Sequence, residues 1–265
     1  MKKLVLIIFM INALFLISCE DDPVIPESYT GKLIINFQHV FNEEYLAFDT
    51  LKYINAAGNQ LQFSELQYFI SDVTLHFIDG SEYMIHAWKD IHYIDSDIPS
   101  TLNWYVYDSI PAGVIDSLSF TFGISEEKNQ SFLYVNPPES YMFWPDILGG
   151  GYHYLKLNGK WKSDEQQINP FNFHLGIGQV YDNEGNITGF IQNHFRATIK
   201  NHSFTITKGE STSVLFIMNV ASWFDTPHIW DFDSWGGDIM QNQAAMQTGC
   251  ENGRDIFSLE VIIPD

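Results

Sequence analysis

The sequence predicts an all-β protein, a single antiparallel β-sandwich with long loops and one short helix near the C-terminus. Apolar residues alternate with period two along much of the chain, helical period is nearly absent, and turn signals separate the apolar runs. With 265 residues, 45% of them hydrophobic and 15% aromatic, the chain can bury a full core rather than stay disordered.

The elements follow in chain order. Leu33, Ile35, Phe37 and His39 share one face of a first strand, with Ile34, Asn36 and Gln38 on the other. A second run keeps its apolar phase on Leu66, Tyr68 and Ile70, then moves it to Val73, Leu75 and Phe77. A β-bulge near Ser71-Asp72 returns both sets to one face. Asp79-Gly80 reads as a hairpin turn into a strand at 83–88. Leu118, Phe120 and Phe122 mark another strand. The run from Tyr152 to Leu157 is expected to turn at Asn158-Gly159 into Phe171–Ile177. His194–Ile199, Val214–Val220 and Phe257–Ile263 complete the set, and the unbroken Val214–Met218 run predicts a strand covered on both faces. The helix is expected over Ile239–Gln247, with Asp238 as N-cap and Gly249 near its end. No repeat or change in composition divides the chain after residue 30, so 32–265 reads as one domain.

Composition narrows the functions. Thirteen Lys+Arg against 33 Asp+Glu give a net charge of -20, which repels phosphate backbones and argues against nucleic acid as a partner. The chain contains no Gly-x-Ser-x-Gly, His-Glu-x-x-His, phosphate loop or glycine-rich dinucleotide turn, so a binding protein is expected rather than an enzyme. Asp182-Asn183-Glu184-Gly185-Asn186 lacks the spacing and closing Glu of an EF-hand and reads as a hairpin turn.

The first residues have their own logic. Lys2 and Lys3 precede an apolar stretch from Leu4 to Ile17 that is too short for a stable membrane span. The stretch ends in Leu16-Ile17-Ser18-Cys19, which resembles the lipobox of bacterial lipoproteins. That resemblance implies a signal peptide at 1–18, a lipidated Cys19, and anchorage in the outer membrane, facing the periplasm or exposed at the surface. Residues 19–31 then form an acidic, proline-containing tether, which is similar to the surface-export signal of Bacteroidetes lipoproteins. With Cys19 lipidated, Cys250 has no partner for a disulfide. It reads as a small buried hydrophobe, with a soft metal ligand as the alternative.

Nine histidines show no His-x-His or His-x-x-x-His spacing, so a metal site would have to be assembled from distant segments. An ordered set of segments bears on that. Phe37-Gln38-His39, Tyr53–Gly58, Leu66–Val73 and Ile110-Pro111-Ala112-Gly113 are followed by Phe120–Ile124, Met142-Phe143-Trp144 and Gly151-Tyr152. Leu155-Lys156-Leu157 and Phe173-His174-Leu175-Gly176 close the set. Their order and spacing resemble the MbnP-like family, named for a periplasmic partner of methanobactin, over roughly residues 32 to 263. The resemblance implies an all-β, copper-associated extracytoplasmic protein, and in one branch of the family a dihaem partner enzyme oxidises a Trp to kynurenine.

Imidazole and thioether donors suit copper, and this selects His39, His174 and Met142 as candidate ligands. Trp144 and His153 are further candidates, as oxidisable or site-lining residues. The expected phases do not agree: His39 shares the apolar phase of its strand, whereas His174 lies on the polar phase with Asn172. The sequence around Trp144 departs from the family pattern in lacking a neighbouring Trp and Asn, so any of seven Trp could be the oxidised one. The segment 223–235 offers a second reading. Its three Trp and three Asp suit sugar stacking at Trp230 and a calcium ion at Asp231 and Asp233. Against this stands a plain lid, with its Trp rings packed inward and its Asp residues facing water.

Overall fold

The computed structural model describes residues 29–87 and 90–262. The proposed signal peptide, Cys19, nearly all of the tether and Trp88 lie outside the described residues. Two β-sheets pack face to face. Thr30–Phe41 is central to the smaller sheet, flanked by Ser211–Asn219 and then Phe257–Ile262, with Glu44–Tyr45, Asn103–Tyr105 and Ile110–Pro111 also pairing to it. The larger sheet runs Ile168–Leu175, Leu155–Lys162, Gln60–Phe77, Gly113–Phe122, Phe195–Ile206. Tyr53–Ile54, Glu82–Met84 and Ile91–Asp95 also pair with the long Gln60–Phe77 strand. Ladders between the described strands are antiparallel except for Thr30–Phe41 against Ser211–Asn219, which run parallel.

Aromatic rings join the layers. Phe120 meets Phe216 and Phe257 at centroid distances of 5.9 and 5.1 Å, and Tyr68 lies 6.2 Å from Phe257. The bulge expected at Ser71-Asp72 is present: the register with Gly113–Phe122 shifts there, and Asp72 takes φ 53°. Gly80 closes its turn at φ 85°, and Asp182–Gly185 turns between Gly178–Tyr181 and Ile187–Ile191 as expected.

Three expectations are corrected. Asn158-Gly159 is not a turn, because Leu155–Lys162 runs straight through it and the chain reverses at 163–167 instead. Gly159 serves close approach: a Cβ there would lie 2.0 Å from the Gln62 carbonyl oxygen. The helix is Gln243–Asn252, capped by the Asn242 side chain on the Ala245 N–H. It cannot begin at Ile239, because Gln241 holds φ 66° and interrupts any helical run. Finally, Ser211–Asn219 is buried on one face only. Leu215 pairs with Asn36 and with exposed Glu260, which places its row on the outer face. The strand covered on both faces is Gln60–Phe77, where every residue from Leu66 to Ser71 is buried. The long 124–154 segment supplies the second cover, with Tyr134 stacked 5.7 Å from Phe69.

Candidate metal centre

Register places His174 on the outer face of the larger sheet. Tyr68, Leu155 and Leu175 are ladder partners, as are Gln67, Lys156 and His174. The Tyr68 row faces the other sheet, so the His174 row faces outward. His174 is nevertheless only 9% exposed, because the segment carrying Met142, Trp144 and His153 folds over it.

Backbone pairing within that segment sets the arrangement. The Trp144 N–H donates to Gly151 O at 2.8 Å and the His153 N–H donates to Met142 O at 2.6 Å. His153 thereby comes beside both Trp144 and His174, with ring centroids 4.7 and 5.0 Å away and both pairs edge to face. The Trp144 indole N–H donates to Leu148 O at 3.1 Å, and its ring is completely buried against Gly176.

Hydrogen bonds assign the tautomers. Asn158 donates its amide N–H to a Glu65 carboxylate oxygen, which fixes the amide oxygen toward His174. That oxygen, 2.7 Å from Nε2, accepts the Nε2–H of His174. The lone pair of His174 therefore resides on Nδ1, which is buried and has no partner. In His153 the Nδ1–H donates to Met142 O at 2.9 Å, so its lone pair resides on Nε2. Burial pulls His153 down to about 4 despite the bond to Met142, and the Lys156 charge adds to that fall. Burial likewise takes His174 to about 3, helped by His153 and Lys156. Both rings are neutral at physiological pH, the state in which imidazole binds a metal.

His39 is elsewhere. It crosses between the layers to Tyr68, its Nε2 3.1 Å from the phenol oxygen, and burial lowers it to about 4. Since Tyr68 and His174 point to opposite faces of one sheet, the structure separates His39 from His174, and the pairing expected from sequence does not assemble. Met142 is buried and contributes its backbone carbonyl to the site. Among the described residues, no three His, Cys, Asp or Glu side chains gather as a metal-binding group. The Cys250 thiol donates to Asn193 O at 3.1 Å, and burial pushes it up to about 12, away from the thiolate a metal needs.

The 223–235 segment is a lid. Trp223 and Trp230 are completely buried, and Trp230 packs 4.9 Å from Phe173 and 5.2 Å from Trp235. Its ring has no exposed face on which a sugar could stack, so that reading falls. Asp231 caps the short helix at Asp233 N–H, and Asn59 donates to Asp231 at 3.3 Å and to Asp233 at 3.0 Å. These carboxylates are occupied in fastening the lid.

Glu65 and Asn158 escaped the sequence reading. Placing a turn at Asn158-Gly159 removed Asn158 from the strand whose alternation would have set it beside His174.

Fold and site together define an extended β-sandwich that carries a buried histidine–tryptophan cluster beneath a long covering segment. The chain belongs to the MbnP family, whose family model matches residues 30–244. Among solved structures, MbnP from Methylosinus trichosporium shares the fold, with a TM-score of 0.51 at 14% identity over 88% of this chain and 99% of that one. No curated protein matches in sequence.

Proposed function

We propose that this chain is an extracytoplasmic copper-binding or copper-handling protein of the MbnP type, a binding protein rather than an enzyme. His153 and His174 would hold the metal beside Trp144. The unpartnered, buried Nδ1 of His174, on a ring 5.0 Å from a second neutral imidazole, carries this reading. Burying a polar nitrogen without a partner costs about 1–3 kcal/mol, and a metal bond would satisfy it. Two neutral imidazoles suit Cu(I), and each is oriented through its other nitrogen, as metal-bound histidines usually are. Trp144 is the tryptophan at the site, and we assign to it any oxidation by a dihaem partner enzyme.

The test is Cu(I) competition titration. The purified chain is expected to hold about one copper. His153→Ala and His174→Ala are each expected to lose it, with His39→Ala unaffected. Copper retained in both of the first two variants would overturn the site. We also infer anchorage through lipidated Cys19, supported by the lipobox-like residues at 16–19. Cys19→Ala is then expected to move the protein from the membrane to the soluble fraction. An unchanged distribution would argue against the anchor.

A further inference from the structure

A cleft of about 580 Å³ opens between the Ile91–Asp95 strand, the 98–107 segment and the 133–139 part of the covering segment. It shares no residue with the His153–His174 pair. Ligand cavities run from roughly 300 to 1,000 Å³, so its size fits a small organic molecule. Aromatic rings make the wall: Tyr93, Trp104, Tyr105, Tyr107 and Tyr134. Trp104 is fixed by stacking on His92 at 4.9 Å and 2° between planes, and His92 in turn stacks on Phe37 at 5.4 Å. The floor at Trp104 is therefore fixed, as is Tyr134, which stacks on Phe69 at 5.7 Å, while Tyr105 and Tyr107 are exposed. The Trp104 indole N–H is buried without an acceptor, so the protein leaves that group unmet.

Charge decides the ligand class. Asp90 and Glu139 both line the cleft. Lys128 pairs with Asp90 and also with Asp72, each at 2.5 Å, whereas among the described residues no Lys, Arg or His forms an ion pair with Glu139. Glu139 is felt inside: after burial, its charge is the next cause that holds the Tyr134 phenol above its ordinary value. A carboxylate at the rim of a chain with net charge -20 repels anions. With Asp90 held by Lys128, a bare metal ion finds Glu139 as the one carboxylate at the cleft without a basic partner among the described residues and would keep most of its water. An alkylated ammonium fits both parts, since ring faces attract a large, weakly hydrated cation and Glu139 balances its charge.

We propose that this cleft binds an organic cation with an alkylated ammonium head, against the Tyr105, Tyr107 and Tyr134 rings and opposite Glu139. Choline is the probe, compared with neohexyl alcohol, its uncharged isostere of the same shape, in calorimetric titrations of the full chain at matched salt. Choline is expected to bind saturably, with the isostere at least about fivefold weaker. Glu139→Gln and Tyr105→Ala are each expected to weaken choline by about fivefold, whereas Glu260→Gln, which removes an exposed acid from the Phe257–Ile262 strand at the far edge of the smaller sheet, is expected to leave it unchanged. Tyr105 is exposed and Glu139 half-buried, and neither belongs to the hydrophobic core. Absence of saturable choline binding would overturn the proposal. So would equal affinity for the isostere, or equal losses in Glu139→Gln and Glu260→Gln.

Discussion

Asn158 accepts from His174 with its oxygen and donates to Glu65 with its nitrogen, so the Glu65 carboxylate, acting through Asn158, fixes which imidazole nitrogen carries the lone pair. Without it His174 could turn or change tautomer, and the Nδ1 lone pair would no longer be presented. Asn158→Leu is therefore expected to weaken Cu(I) binding by about 10- to 100-fold, the range typical of a lost outer-shell partner. Competition titration checks it, and an unchanged affinity would show that the pin has no role. His174 and Trp144 were legible because their segments resemble a family. His39 misled because an inward phase looks the same for a ligand and for a core histidine bonded to Tyr68. Which histidines meet depends on a covering segment with no period, and alternation alone cannot place it.

At the scale of elements, the site depends on how closely that segment presses on the sheet. Gly176 follows the Ile168–Leu175 strand, and a Cβ there would lie 2.5 Å from the Trp144 ring. The ring is walled in and has little room to yield. Gly176→Ala is expected to cost about 1–3 kcal/mol, the usual range for overpacking a core. It is also expected to shift the Trp144 fluorescence, as urea unfolding and emission spectra would show. A variant of wild-type stability and spectrum would mean that the segment adjusts freely. Strand existence was readable from period two, even to the bulge at Ser71-Asp72. The Asn158-Gly159 error arose because glycine for close approach and glycine for a turn leave the same mark in a sequence. The helix start slipped because the left-handed backbone at Gln241 has no distinctive residue type.

For the whole molecule, three neutral histidines in the interior link folding to pH. His39 and His153 lie at about 4 and His174 at about 3, all lowered first by burial, against an ordinary value near 6.5. Above pH 6.5 both folded and unfolded chains are neutral at these positions, and the folded state keeps its full stability. As the pH falls below 6.5 the unfolded chain takes up protons that the folded chain refuses, so stability is lost progressively until about pH 4 to 3. Each shift is worth on the order of 3 kcal/mol, so the three together rival the roughly 5–15 kcal/mol by which domains are stable. The carboxylates act lower in the range: Asp182, which accepts from Asn186, and Glu251, which accepts from Gln247, are held below their ordinary values and lose their contributions only as they protonate. Between pH 6.5 and 4 the histidines therefore dominate. Unfolding free energies from urea titration are expected to fall across that window. His39→Gln, which keeps a partner for Tyr68 but cannot titrate, is expected to make the fall shallower by about one histidine's share. A flat profile from pH 6.5 to 5, or an identical slope in His39→Gln, would mean that the interior admits protons or water at these rings.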